Sequence, residues 1–200
     1  MKKFAALALL SLGFASTSIA MGVEGIDPAA VPAGSYSADL SHTSVLASIA
    51  HMGFTHTNVN FRKLDGHFTY DPAHPEASSL DVTIDTNSLD SGWAARDTDL
   101  KGAKFFNVAA FPTMTFHSQK LTKTGATTAR IDGQLTVLGV TKPVALAVTF
   151  NGVGKGMDGI ARAGFSAHTS LKRSDFGMTT FLPVVGDDVA IDIEAEFSKK

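Results

Sequence analysis

Val189-Ala190-Ile191-Asp192-Ile193-Glu194-Ala195-Glu196-Phe197 is the stretch that decides the fold class. Val189, Ile191, Ile193, Ala195 and Phe197 fall on one side of an extended chain. Ala190, Asp192, Glu194 and Glu196 fall on the other. A period of two with one apolar and one polar face marks a strand of an antiparallel sheet. The same alternation recurs upstream. Val144, Leu146, Val148 and Phe150 oppose Ala145, Ala147 and Thr149, and Ile131, Gly133, Leu135 and Val137 oppose Asp132, Gln134 and Thr136. Phe165, Ala167 and Leu171 share a face, as do Met114 with Phe116, Val82 with Ile84, Phe68 with Tyr70, and Val45 with Ala47 and Ile49. Turn residues punctuate these runs at Asp65-Gly66, Asp71-Pro72, Lys142-Pro143 and Asn151-Gly152. In this reading every proline lies outside the strands. About eight strands so spaced predict an all-β domain, a sandwich or an up-and-down barrel.

One segment departs from the pattern. Residues 93–104 lack alternation and contain Ala94, Ala95, Arg96, Leu100, Lys101 and Ala103, a composition that predicts an inserted α-helix capped by Asp90 or Ser91. Residues 21–34, rich in Gly, Ala and Pro, read as a flexible lead-in, and 35–200 as one domain.

The 200 residues include no cysteine, which removes disulfide frameworks, thiolate metal sites and thiol catalysis. With 44% hydrophobic residues and a net charge of −2, neither disorder nor nucleic-acid binding is expected. The N-terminus carries Lys2 and Lys3, an apolar run from Phe4 to Ala15, and the small residues of Ser18-Ile19-Ala20. This is the pattern of a secretory signal peptide cleaved after Ala20, too short for a stable membrane span. Its removal leaves 15 basic and 19 acidic residues, a mature charge of −4. In a Gram-negative host the product is periplasmic.

Catalytic and metal-binding signatures are not found. No HExxH, GxSxG or SxxK motif occurs, and His51 and His56 share neither a helix face nor a strand face. Asp97/Asp99 and Asp187/Asp188 read as solvated charges. Gly152-Val153-Gly154-Lys155-Gly156 superficially resembles a phosphate loop, lacks the pattern's remaining residues, and reads as a mobile hairpin loop. No enzyme, metal or cofactor is expected. The strands' apolar faces end in Phe61, Phe68, Phe116, Phe150, Phe165 and Phe197. These either fill a core or line a hollow barrel, in which Ala47, Gly133, Ala167 and Ala195 leave room along the axis. The geometry of a small barrel permits both.

Four ordered blocks carry a family resemblance. They are Tyr36, Asp39, His42, Thr43 and Val45 with Ile49, His51 and Gly53; Ser88 to Gly92 with Arg96-Asp97, Leu100, Lys104 to Val108, Phe111-Pro112, Phe116 and Ser118; Gly133, Leu135 and Thr136 with Gly139 and Thr141 to Val144; and Gly164-Phe165 and Ala167 with Arg173 to Gly177 and Val185 to Val189. Together they resemble the YceI family of periplasmic lipocalin-like proteins, across the whole mature domain. Ala47 stands where the family usually has Phe, a change that would widen a cavity.

The resemblance implies an extended eight-stranded antiparallel barrel that holds a long isoprenoid lipid, such as a quinone tail or polyprenyl phosphate, and a possible homodimer. The lipid-binding wall is then expected from Val45, Ile49, Phe68, Val82, Ile84, Phe116, Leu135, Val137, Leu146, Val148, Phe165, Ile191 and Ile193, with His51 at the end of its strand as the head-group candidate. Arg96, Asp97, Arg173 and Asp175 are read first as Arg–Asp pairs that pin the helix and the bulge before Gly177, and second as head-group contacts.

Overall fold

The computed structural model describes residues 22–200, so the expected signal peptide lies outside the described residues. Eight long antiparallel strands close into a barrel. Three of them are interrupted, so the chain order is β1 (Gly22–Gly25), β2 (Gly34–Ala38), β3 (Ser44–His51), β4 (Thr55–Phe61), β5 (Leu64–Tyr70), β6 (Ser79–Asp85), β7 (Leu89–Asp90), α1 (Ala94–Lys101), β8 (Thr113–Lys123), β9 (Thr128–Val137), β10 (Val140–Lys155), β11 (Ala161–Lys172) and β12 (Val185–Lys199). β2 pairs β5 while β3 pairs β4, so β2–β3 and β4–β5 are the two arms of one interrupted hairpin. β5–β6 and β4–β7 repeat the arrangement. From β6 the chain meanders through β8, β9, β10, β11 and β12, and β12 closes the ring on both β2 and β3. The sandwich alternative is therefore set aside. The β9–β10 turn shows how local chemistry sets register: Leu138 (φ 52°) and Gly139 (φ 74°) form a two-residue left-handed turn, which matches the twist of the strands it joins.

The lead-in is ordered, contrary to expectation. β1 pairs the far end of β10, Asp27 caps a short 3-10 turn at Pro28–Ala30, and Val31 is 3% exposed. Tyr70 Oη donates to Pro28 O (3.1 Å) and Tyr36 Oη to Pro32 O (2.6 Å), tying this strap to the barrel. Gly152 to Lys155 is likewise strand rather than mobile loop, with Val153 buried. A Cβ at Gly154 would stand 1.8 Å from Gly22 O, so the glycine there permits close approach of β1. Asp65-Gly66, Lys142-Pro143 and Asn151-Gly152 also lie inside strands. Pro143 is tolerated because β10 meets β11 only from Ala147 onward, which leaves its N atom without a ladder to serve.

The helix is a little shorter than expected, and neither Asp90 nor Ser91 caps it; the cap position is Trp93, with no side-chain bond. Asp90 Oδ1 instead accepts from Gly92 N, and Ser91 turns to Asp97.

Candidate functional site

The barrel is hollow. A cavity of about 1030 Å³ runs inside it. Its wall follows from strand alternation: side chains two apart along each strand point to the same face. Val45 and Ile49 on β3, Phe68 on β5, Val82 and Ile84 on β6 and Phe116 on β8 all line it. So do Leu135 and Val137 on β9, Leu146 and Val148 on β10, Phe165 on β11, and Ile191 and Ile193 on β12. Every wall position read from the sequence faces the cavity. Of the small residues, Ala47, Ala167 and Ala195 leave open space, whereas Gly133 does not, because the Phe116 ring covers it.

At the strap end the cavity meets an aromatic floor. Tyr36 stacks on Phe68 with centroids 4.6 Å apart, and Phe197 stands edge-on to Phe68 at 5.0 Å. Phe165 bridges Phe197 and Phe150 at 6.0 and 5.5 Å. Pro28 and Val31 of the strap complete this part of the wall. Burial raises the Tyr36 and Tyr70 hydroxyl pKa values above the ordinary tyrosine range, with smaller contributions from neighbouring charge. Both hydroxyls stay protonated and serve as donors.

At the other end the wall is less regular. β4 pairs β3 along its whole length but meets β7 only at Asn60 and Phe61, so Thr55 to Val59 have no strand on that side. Here Thr55, Thr57, Trp93, Arg96, Leu100 and Phe105 border the cavity. His51 lies at this mouth, exposed, and its ring makes no hydrogen bond to a described residue. The sequence reading missed β4 because Thr55 and Thr57 occupy inward positions where alternation predicts apolar residues. Phe105, Phe106, Phe176, Met178 and Phe181 were missed because they reach the cavity from loops and a short 3-10 turn, which have no period; Phe105, Phe106 and Phe176 do belong to quoted motif blocks.

The charged motif residues do not form the expected Arg–Asp pairs. Arg96 and Asp97 both hold Ser91: Arg96 donates to Ser91 Oγ (2.8 Å) and Ser91 O (2.6 Å), and Asp97 accepts from Ser91 N (2.8 Å). Arg173 is 4% exposed and donates to the backbone carbonyls of Gly186 (2.7 Å), Met178 (2.9 Å) and Val185 (3.0 Å). Burial lowers its pKa from the usual arginine value, with Asp187 opposing the shift, but the group remains a cation. Asp187, not Asp175, supplies the carboxylate of this corner, accepting from Ser174 N and Oγ. Asp175 is exposed.

On the outside of the barrel, Asp39, His42 and Glu196 come together. Arg162 occupies this cluster, donating to Asp39 (2.7 Å) and Glu196 (2.6 Å). Bonds from Ser41 and then Arg162 hold the Asp39 carboxyl well below the usual carboxylate range. Asp39 N donates to Glu196 O (2.7 Å), so the cluster fixes the interruption between β2 and β3.

A model of the YceI-like domain matches residues 36–197. The chain belongs to the YceI family. A protein of Azotobacter vinelandii named UPF0312 is 43% identical over 155 residues, which cover 78% of this chain and 81% of that one. Among solved structures, Burkholderia cenocepacia BcnA matches with a TM-score of 0.72 at 26% identity, over 80% of this chain and 98% of its own. A polyisoprenoid binding domain from Saccharophagus degradans shares the fold at 16% identity, with a TM-score of 0.62 over 82% and 98% of the two chains. In this YceI-family chain, the motif blocks around Asp39, Ser91 and Arg173 tie down corners of the barrel.

Proposed function

We propose that this YceI-family chain is an exported, periplasmic binding protein that sequesters or carries a long isoprenoid amphiphile without converting it. Quinone tails and polyprenyl phosphates are the chemical class. The observation that carries the reading is the cavity: about 1030 Å³, walled by aliphatic and aromatic side chains from every long strand. Burying apolar area is worth roughly 25 cal/mol per Å², so a chain of isoprene units can be held by such a wall without any chemistry. The charged groups at the wall support the same reading. Arg96 and Arg173 direct their donors to Ser91 and to backbone carbonyls, as scaffold groups do. The structural neighbour described as a polyisoprenoid binding domain has the same barrel.

Native mass spectrometry of protein taken from the periplasm of its own host, followed by organic extraction, tests this. The expected result is an adduct whose extracted lipid carries a repeating C5 pattern. A uniform ligand-free mass overturns the reading, and a lipid that changes chemically during incubation with the protein overturns the carrier part of it.

A further inference from the structure

An apolar ligand enclosed in a barrel must leave through a surface, and the two ends of this barrel differ in whether their exposed apolar side chains border the cavity. The strap end has the aromatic floor, with the strap tied down by Tyr70 and Tyr36; Val23, Ile26 and Met157 are exposed there, but none of them borders the cavity. The α1 end carries large apolar side chains in solvent: Phe54 is 85% exposed, Trp93 63%, Phe181 62%, Met52 55% and Val184 53%.

These residues form one rim. Met52 N donates to Val184 O (3.0 Å), which ties the β3–β4 turn to the loop before β12. The Phe181 ring lies 6.1 Å from that of Phe105, and Thr180 Oγ1 donates to Lys104 O, which ties that loop to the segment after α1. Trp93 sits at the start of α1 with Arg96 over its ring at 5.8 Å. Trp93, Phe105 and Phe181 also line the cavity, so the rim is continuous with the cavity wall. Exposed aromatic groups clustered in this way mark an interaction surface, and such a rim around an apolar opening suits a partner that is itself apolar beneath a polar skin.

Charge points to the kind of partner. Lys101 and Lys104 lie just before Phe105, and neither forms an ion pair with a described residue; of the two acidic residues of α1, Asp97 is taken up by Ser91, which leaves Asp99 against the two lysines. Aromatic side chains interleaved with free lysines on one face are the composition of interfacial anchors, whose rings enter the head-group layer while the ammonium groups meet anionic lipid.

We infer that the α1-end rim, with Phe54, Trp93, Phe181 and Val184 inserted and Lys101 and Lys104 at its edge, docks on an anionic lipid surface so that the ligand passes between cavity and bilayer without crossing water. The inference rests on the proposed lipid-carrier role for its purpose, but not for its observable. Insertion is shallow, and no helix among the described residues is long and apolar enough to cross a membrane.

The test uses the mature protein with vesicles of phosphatidylethanolamine containing phosphatidylglycerol, and compares it with a Phe54→Ser/Val184→Ser variant. Neither residue lines the cavity, so the variant keeps the wall intact. Wild type is expected to co-float with the vesicles, less so at high salt or when the phosphatidylglycerol is omitted. The variant should bind vesicles at least tenfold more weakly. Occupancy by a polyprenol supplied in detergent, read by native mass spectrometry, should be the same for both. Absence of wild-type co-flotation, or equal co-flotation of the variant, overturns the inference. So does a rim-dependent dimer without vesicle binding, measured by sedimentation, which would make a second copy of the chain the occupant. Co-flotation with no polyprenol uptake by either protein would instead leave the docking face standing and remove the carrier reading.

Discussion

The ring of Phe116 occupies the space that a side chain would take at Gly133: a Cβ built there stands 2.4 Å from Phe116 Cζ and 2.6 Å from His117 O. The two residues sit on neighbouring strands, Phe116 opposite Leu135 and Gly133 opposite Ser118. The glycine lets the ring lie across the pair of strands, where it contributes to the cavity wall.

Gly133→Ala should therefore destabilise the barrel by about 1–3 kcal/mol, the usual cost of overpacking. Phe116→Leu in the same chain should restore part of that loss, since the carbonyl of His117 still crowds the new methyl. Urea midpoints of the two single variants and the double variant check this. Additive losses would mean that ring and glycine are not coupled.

Asp39 links acid stability to the interrupted strand. Its folded-state pKa is lowered, so the contribution is present above the unfolded value of about 3.9 and is lost as pH falls through the lower folded value. Asp39→Asn should cost about 1–3 kcal/mol at neutral pH, where a hydrogen bond between charged groups is lost. The gap between wild type and variant should shrink only below the ordinary carboxylate range. Thermal melts across an acidic pH series read it; a gap that closes near pH 6 would contradict the assignment.

Arg173 is expected to act as a clamp on the segment from Met178 to Gly186. Arg173→Lys keeps the charge but loses the planar fork that reaches three carbonyls. A loss of about 3 kcal/mol should accompany it, since weakening a buried charged group's bonding is costly. Hydrogen exchange should accelerate first at residues 178–186. Unchanged exchange there with lowered lipid occupancy would instead make Arg173 a head-group contact.

Much of the wall was legible because a dry interior enforces strict alternation, as in Val144 to Phe150 and Val189 to Phe197. The parts that were not legible follow from two physical causes. The first is a wet mouth, where Thr55 and Thr57 face inward without breaking any rule of burial. The second is tertiary pairing: β1 and the strap have no pattern of their own and gain order from β10, Tyr36 and Tyr70. Gly152 and Gly154 look like loop residues for the same reason, since what they supply is room for β1.

The mouth histidine separates tail binding from head-group binding. If the head group meets His51 at all, it does so through a single hydrogen bond, worth about 0.5–1.5 kcal/mol, or up to about 3 with a charged partner. His51→Ala should weaken retention of a polyprenyl phosphate by about ten- to hundredfold at most and leave the melting temperature unchanged. Retention of a hydrocarbon without a head group should not change. Loss of both ligands would place His51 in the fold instead.

Ala47 sets the length of chain that fits. It faces the cavity from the middle of β3, paired with Val59 and Ile191, and 9% of it is exposed. Ala47→Phe puts a ring into open space, so the barrel itself should be stable while the cavity shortens or narrows. Each buried methylene is worth about 0.8 kcal/mol, so excluding one five-carbon unit removes roughly 4 kcal/mol of tail binding. That corresponds to about a thousandfold loss of affinity for the longest chain that wild type accepts. A prenol short enough to leave the Ala47 region empty should bind both proteins alike. A graded series of prenols, measured for displacement of a fluorescent fatty probe, gives the length at which the curves part. Equal losses at every length would show that the ring disturbs the whole barrel, and no loss at any length would show that the chain does not pass Ala47.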